Sequence, residues 1–352
     1  MNGGTAPVAQ FQMAGDEAGV EVGEEDVADL KAKSRSVGQV LLDIALGGDD
    51  NRGRTGLISE QIGSVERFRA PGVMESVGEE LYETATFARL VDCGERKLAG
   101  IQDKIIEIRD RGYCILREHF ARPMIDACRS AFWPVLLAYL KAHGHEPNRG
   151  PHRHFLPMPF EPPCFVPDFF FDNEVLSIVR GSMDDRVVAD QWGCDVPLRD
   201  SDYQGVHVDY QRPLFSEAPD LSLPAYVLVV SFGLVRITPE NGPIEIAPGT
   251  HRMPRKEALR AVEAAETGMQ PVPLEIGDVL IRHPWVLHRG SPNTTDTPRA
   301  LVSIRYVRPW YADSSREVDS LPRAVWDSLT PEQQQVMRFP VGDRSLPIRR
   351  AE

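Results

Sequence analysis

The residues best suited to chemistry are a histidine and an aspartate separated by one residue. His207 and Asp209 lie in the segment Gly-Val-His-Val-Asp-Tyr. Side chains alternate along a β-strand, so a strand here would place this imidazole and this carboxylate on the same face. Another histidine would complete a two-histidine, one-carboxylate set, which leaves about three positions open on a non-haem iron(II) ion. Because a His-x-Asp triplet also arises by chance, the interpretation depends on residues further along the chain.

A series of short motifs follows the triplet in order. Glu-Asn-Gly begins at Glu240, and Pro-Gly-Thr-His ends at His251. Gly-Asp begins at Gly277, and His288 opens the segment His-Arg-Gly-Ser-Pro-Asn. Arg299 lies eleven residues after His288. In these motifs and their order the chain resembles the phytanoyl-CoA dioxygenase-like family of Fe(II)/2-oxoglutarate oxygenases.

The resemblance implies a specific site. His207, Asp209 and His288 would bind Fe(II), with 2-oxoglutarate and O2 as co-substrates. Arg299 would bind the far carboxylate of 2-oxoglutarate. The residue type fits this role, because a guanidinium fork donates two parallel hydrogen bonds to a carboxylate. The alternative for Arg299 is a surface position on an edge strand.

The second histidine ligand has a rival in His283, five residues before His288. We prefer His288, because it fits the family's spacing to Asn293 and Arg299. His251 is expected to be a structural turn residue, as its family equivalent usually is.

Further co-substrate contacts are predicted at Gln191 and Ser303. Gln191 lies on the strand before the His-x-Asp triplet, where its alternative role is to cap that strand. Ser303 belongs to an inward-facing set, and inward polar side chains are costly unless they serve a buried ligand. Some relatives have a co-substrate-binding serine two residues past the distal histidine. This chain has Gly290 there, and Ser291 is the alternative contact.

Residues 147–172 are rich in proline and phenylalanine, and this proline density predicts a loop without regular structure. The loop could form an aromatic wall for an apolar or ring-bearing substrate, or it could pack its phenylalanines into the core. We favour core packing for most of them. His152 and His154 have metal-ligand spacing without a carboxylate partner. We therefore expect these two histidines, with Phe155 and Phe171, to contact the substrate.

The predicted activity is oxidation of an unactivated C–H bond coupled to oxidative decarboxylation of 2-oxoglutarate. The resemblance makes Asp209 informative, because halogenating relatives lack this carboxylate. Its presence favours hydroxylation, or a related desaturation, epoxidation or rearrangement. A metal-dependent isomerase or hydrolase on the same barrel, and a non-catalytic binding barrel, stay open as alternatives. The breadth of the family suggests a tailoring enzyme of secondary metabolism.

The fold class expected to hold this site is mainly β with helical additions. Many short strands separated by turn residues indicate a double-stranded β-helix, or jelly roll, flanked by helices. The resemblance covers residues from about 104 to 309. The predicted organisation is a mobile segment 1–35 and a single oxygenase domain 36–352. This domain would consist of a mainly helical part 36–145, a jelly-roll core 186–309 and a helical tail 310–352. A helical insertion, 255–266, would interrupt the core.

Composition restricts the classes of partner. The net charge is −13, which argues against general nucleic-acid binding. The sequence contains no apolar run of about twenty residues, so no membrane span is predicted. The five cysteines show no C-x-x-C pair. We therefore expect a cytoplasmic protein with reduced thiols and a small-molecule substrate. The oligomeric state stays open, and the N-terminal helical region could supply part of the pocket or a homodimer contact.

Overall fold

The structure is a computed structural model, and it describes residues 98–209, 224–312 and 320–342. The predicted mobile segment 1–35 and residues 36–97 of the predicted mainly helical part lie outside the described residues. The division of the chain into a mobile segment and one domain therefore stays a prediction.

Two antiparallel sheets form the core, and residues from both line one cavity. The larger sheet has six strands in the order β1-β7-β4-β9-β3-β2, and the smaller has three in the order β6-β5-β8. This arrangement confirms the predicted jelly roll with helical additions. The strands are β1 Tyr113–Leu116, β2 Arg153–Pro157, β3 Val188–Pro197, β4 Val227–Gly233, β5 Ile244–Ile246, β6 Gln270–Val272, β7 Val279–Arg282, β8 His288–Gly290 and β9 Leu301–Val307.

The central strands β4 and β9 divide their side chains between core and cavity. Val230 pairs with Ile304, and both are fully buried in the hydrophobic core. The next pair, Ser231 and Ser303, faces the cavity. This alternation follows from the period of two along a strand. It explains why two nearly continuous apolar strands can still present polar groups to a ligand.

Helices cover the outer face of the larger sheet. Helix α2, Arg122–His143, lies within the part 36–145 predicted to be mainly helical, and it buries Cys128, Phe132 and Leu136 along one stripe. A four-residue spacing keeps these side chains on one face of a helix. The described helices are α1 98–111, α2 Arg122–His143, α3 Pro167–Phe171, α4 Asn173–Ser182, α5 Arg255–Glu263, α6 Arg323–Ser328 and α7 Pro331–Val336.

The region 147–172 is more regular than predicted, because it contains β2 and α3. Its prolines occupy positions that tolerate them. Pro157 is the last residue of β2, which is an edge strand, and Pro167 lies in the first turn of α3. Phe169 and Phe170 are fully buried, and the ring of Phe169 stacks on another core ring at 4.7 Å. Core packing is thus the correct interpretation for these phenylalanines.

Three other features bear on the sequence predictions. No helix within the described ranges is long and apolar enough to cross a bilayer. The four described cysteines are buried and free, in line with the expected reduced thiols. The described part of the predicted helical tail contains α6 and α7, with Pro331 opening the second helix.

We predict that Phe169→Ala lowers the free energy of unfolding by about 3–5 kcal/mol, because it leaves a cavity between α3 and the larger sheet. Urea unfolding followed by circular dichroism measures this loss. Leu137→Ala is the matched control, because Leu137 is 53% exposed, and it should change stability by less than about 1 kcal/mol. Equal effects of the two substitutions would contradict the prediction.

Candidate metal centre and co-substrate pocket

His207, Asp209 and His288 converge, and one ligand atom from each lies within 4.8 Å of the others. Backbone pairing produces this convergence between residues distant in sequence. The amide of His207 donates to the carbonyl of His288, and the reverse bond is also formed, both at 3.0 Å. His207 was predicted on a strand, but it forms only an isolated β-bridge to His288. The amide of Asp209 donates to the carbonyl of Pro284 at 3.1 Å.

Both imidazoles are oriented by main-chain carbonyls two residues earlier. Nδ1 of His207 lies 2.8 Å from the carbonyl oxygen of Gly205, and Nδ1 of His288 lies 2.9 Å from that of Val286. Since a carbonyl only accepts, each Nδ1 carries the proton and donates it. This tautomer leaves the Nε2 lone pair free, which is the form that binds a metal ion.

The charges around the centre favour the metal-binding protonation states. Burial alone would raise the pKa of Asp209, but Arg282 and His288 together hold it well below its usual value. Burial, together with the positive charge of Arg282, lowers the pKa of His288, although Asp209 opposes the shift. An ionised carboxylate and a neutral imidazole are the species that coordinate a metal.

Several motif residues hold the loops that carry these side chains. Thr250 Oγ1 donates to Ala247 O at 2.7 Å and accepts from the amide of Leu287, the residue before His288, at 2.8 Å. The buried Asn293 donates through Nδ2 to two carbonyls at 2.9 and 3.0 Å. These residues of the resemblance are therefore structural in this chain.

A cavity of about 180 Å³ lies beside the three residues. Arg299 enters it and is 1% exposed. Its Nε donates to Gly242 O at 2.9 Å, and its Nη2 lies 3.2 Å from Asp195 Oδ2. Its Nη1 is buried and has no hydrogen-bond partner within the described residues. A buried donor without a partner is costly, so this atom fits an acceptor from a bound ligand such as a carboxylate.

Gln191 and Ser303, the other predicted co-substrate contacts, also line the cavity. Ser303 Oγ lies 3.1 Å from Ser231 Oγ. Arg305 lies on the same face of β9 and forms a two-point ion pair with Asp190. The register between β3 and β9 shifts between Ala189 and Gln191, so Asp190 is the extra residue of a bulge.

Sequence reasoning missed Arg153, which is 1% exposed. Its Nη2 donates to Ser291 O at 2.5 Å, and its Nη1 has no hydrogen-bond partner in the described chain. A Cβ at Gly290 would lie 2.5 Å from that Nη1, so glycine is what leaves room for Arg153. The glycine at this position was therefore the available signal. The alternative contact Ser291 instead donates through Oγ to Pro243 O at 2.7 Å and does not line the cavity.

Of the predicted substrate contacts, Phe155 alone lines the cavity. His154 is fully buried with Nδ1 3.4 Å from the hydroxyl of Tyr139. His152 lies in a turn with a positive φ of 55°, and Phe171 ends α3. The alternation of β2 separates His154 from Phe155, because neighbouring side chains of a strand face opposite sides. Contact of these four residues with a substrate stays a prediction.

The rival ligand His283 is buried away from the three converging residues. Its Nδ1 accepts from the amide of Trp285 at 3.2 Å, and its ring packs against His251 at 5.1 Å. His251 Nε2 donates to Arg109 O at 3.0 Å, which is the structural role expected for it. The geometry therefore supports His288 over His283.

The cavity of this jelly roll holds two imidazoles, a carboxylate and an incompletely bonded guanidinium. This combination is typical of proteins with a non-haem metal centre. The model of the family described as phytanoyl-CoA dioxygenase (PhyH) matches residues 108–301. The chain belongs to this family. Fe(II) and 2-oxoglutarate, with dioxygen, are accordingly its cofactors and co-substrates, and the residues present fit them.

Solved structures match part of this chain at low sequence identity. EvdMO1 is 20% identical, with a TM-score of 0.47, and the match covers 59% of this chain and 50% of EvdMO1. AviO1 from Streptomyces viridochromogenes Tue57 is 20% identical, with a TM-score of 0.47 and coverage of 59% and 95%. HygX from Streptomyces hygroscopicus, solved with nickel and 2-oxoglutarate, is 17% identical, with a TM-score of 0.43 and coverage of 62% and 91%.

The buried His283 makes stability depend on pH. Burial lowers its pKa to about 3 from an ordinary value of 6.5. Below about pH 6.5 the unfolded chain binds a proton that the folded chain refuses, so stability falls as pH falls, by up to about 1.4 kcal/mol per pH unit. We predict that His283→Gln removes this component. Urea unfolding at several pH values between about 7 and 4 should give a shallower pH dependence for the variant, and parallel curves would contradict it.

Proposed function

We propose that this chain is an Fe(II)/2-oxoglutarate-dependent dioxygenase that hydroxylates, or otherwise oxidises, an unactivated C–H bond of a small metabolite. The observation that carries the proposal is one cavity containing both the three-residue centre and the partnerless Nη1 of Arg299. The first can hold a metal and the second can bind a dicarboxylate. The two together are what 2-oxoglutarate chemistry requires.

In this proposal each protein group has a defined task. Nε2 of His207, Nε2 of His288 and one oxygen of Asp209 hold the iron. Fe(II) and 2-oxoglutarate, when bound, supply the activation of dioxygen. Arg299 fixes the far carboxylate of the co-substrate through Nη1, and Arg153 adds a second buried positive charge near it. The two serines of β4 and β9 offer hydroxyl groups along the same wall.

The cavity supports a more polar substrate than the phenylalanine-rich segment suggested. Phe155 contributes an aromatic surface, with the guanidinium of Arg149 4.8 Å from its ring centre. The wall combines apolar residues such as Val229 and Leu280 with Arg282 and several polar groups. We infer a small molecule that carries a polar or anionic group beside an apolar part. A role in natural-product biosynthesis and a homodimer stay predictions.

We predict that anaerobic addition of Fe(II) and then 2-oxoglutarate produces a weak visible charge-transfer band, because the co-substrate chelates the bound metal. His207→Ala should abolish the band, since it removes one of two imidazole ligands. Absorption spectroscopy measures both. Absence of the band in the wild-type protein would overturn the proposal.

Turnover distinguishes the proposal from its alternatives. A dioxygenase consumes dioxygen and releases succinate when screened against a panel of polar metabolites. An isomerase or hydrolase on the same barrel would convert substrate without oxygen and release no succinate. A binding protein would retain ligand without converting it.

The guanidinium of Arg299 should act on the co-substrate and not on the metal. We predict that Arg299→Gln weakens 2-oxoglutarate binding roughly 10- to 100-fold, since charge-assisted hydrogen bonds contribute about 1.5–3 kcal/mol. Metal affinity should stay close to that of the wild type. Calorimetry with each ligand in turn separates the two effects. Arg289→Gln is the control, because Arg289 pairs with Glu245 at 2.7 Å outside the cavity.

A further inference from the structure

Arg282 contacts two of the three residues of the candidate metal centre. It is the last residue of β7, where it pairs with Tyr113 of β1 and Val229 of β4. Alternation along β7 turns Leu280 and Arg282 into the cavity and Ile281 into the core. The guanidinium is thus carried by a strand in the interior of the larger sheet, and its side chain is 9% exposed. A group held in this way is well suited to orient a neighbour.

The directional contact of Arg282 is its bond to Asp209. Nη2 donates to Asp209 Oδ2 at 2.8 Å. Nη1 lies 3.3 Å from Nδ1 of His288, but that nitrogen already donates its proton to Val286 O. A protonated ring nitrogen cannot accept a hydrogen bond, so this second approach orients nothing. Arg282 therefore acts on the carboxylate.

The two oxygens of Asp209 have different surroundings. Oδ1 lies 3.3 Å from Nε2 of His288, on the side where the ligand atoms converge, whereas Oδ2 is bonded to Arg282. The side chain of Asp209 is 32% exposed, so packing alone does not fix its rotation. The hydrogen bond to Arg282 supplies that constraint.

We propose that Arg282 is a positioning residue that holds Oδ2 of Asp209 and presents Oδ1 alone to the iron. The inference rests on the proposed function. A carboxylate that rotated to coordinate through both oxygens would occupy an additional position on the metal. With Oδ2 held, the positions required by 2-oxoglutarate and dioxygen stay available. Ligating carboxylates in metal sites are commonly oriented by such hydrogen bonds.

The test compares Arg282→Met and Arg282→Lys with Arg289→Met. Methionine keeps much of the side-chain volume without charge or donors, and lysine keeps the charge without the fork. The control removes an arginine whose carboxylate partner, Glu245, lies outside the centre. Calorimetric titration with Co(II), without oxygen or substrate, measures metal affinity independently of activity. Thermal unfolding of each metal-free protein checks the fold.

We expect Arg282→Met to weaken Co(II) binding about 10- to 100-fold, as outer hydrogen-bond partners of metal ligands typically do. The Co(II) affinity of Arg282→Lys should be intermediate, and that of Arg289→Met should be unchanged. The 2-oxoglutarate affinity of the Co(II)-loaded Arg282→Met protein should fall further. Wild-type metal affinity in Arg282→Met, or equal losses in Arg289→Met, would overturn the inference while the proposed function stands. If Arg282→Met does not fold, wild-type affinity in Arg282→Lys overturns it. Failure of the wild-type protein to bind any metal would overturn both.

Discussion

The reciprocal backbone hydrogen bonds between His207 and His288 are the interaction on which the candidate site depends. They join His207, near the end of the described range 98–209, to His288, the first residue of β8. Because a cross-strand pair fixes both backbones, it brings the two imidazoles together with ring centres 4.4 Å apart. Asp209 then follows two residues from His207. Backbone pairing therefore determines where the side chains of the candidate site lie.

The cavity shows how a jelly roll stabilises buried charge. Arg305 is neutralised by Asp190 at the β3 bulge, and Arg299 is bound both by Asp195 and by the main-chain carbonyl of Gly242. Unpaired buried charges would cost several kcal/mol each, so these pairs are a condition for a polar interior. Arg299 and Arg153 each retain one partnerless nitrogen among the described residues. Of these two arginines, Arg299 lines the cavity, where its partnerless nitrogen can meet a ligand.

Much of the fold and the centre could be predicted from sequence because strong local patterns and an ordered motif set agree. The buried stripe of α2 repeats every four residues, as a helix requires, and His288 was preferred to His283 through its spacing to Arg299. Which side chains of β2 face the cavity could not be predicted, because composition does not reveal the orientation of a strand. Arg153 was missed for a related reason, since its position depends on space above Gly290 that only the three-dimensional packing shows.

Both imidazoles of the candidate centre are oriented by peptide oxygens, at Gly205 and at Val286, and not by side chains. Every amino acid has a peptide oxygen. A substitution at 205 or 286 that preserves the backbone conformation therefore leaves the proton on the same ring nitrogen. Substitutions around the candidate centre can therefore alter the pocket, and with it the substrate that fits, without changing the tautomers of the two imidazoles. Such a division makes the scaffold an evolvable one.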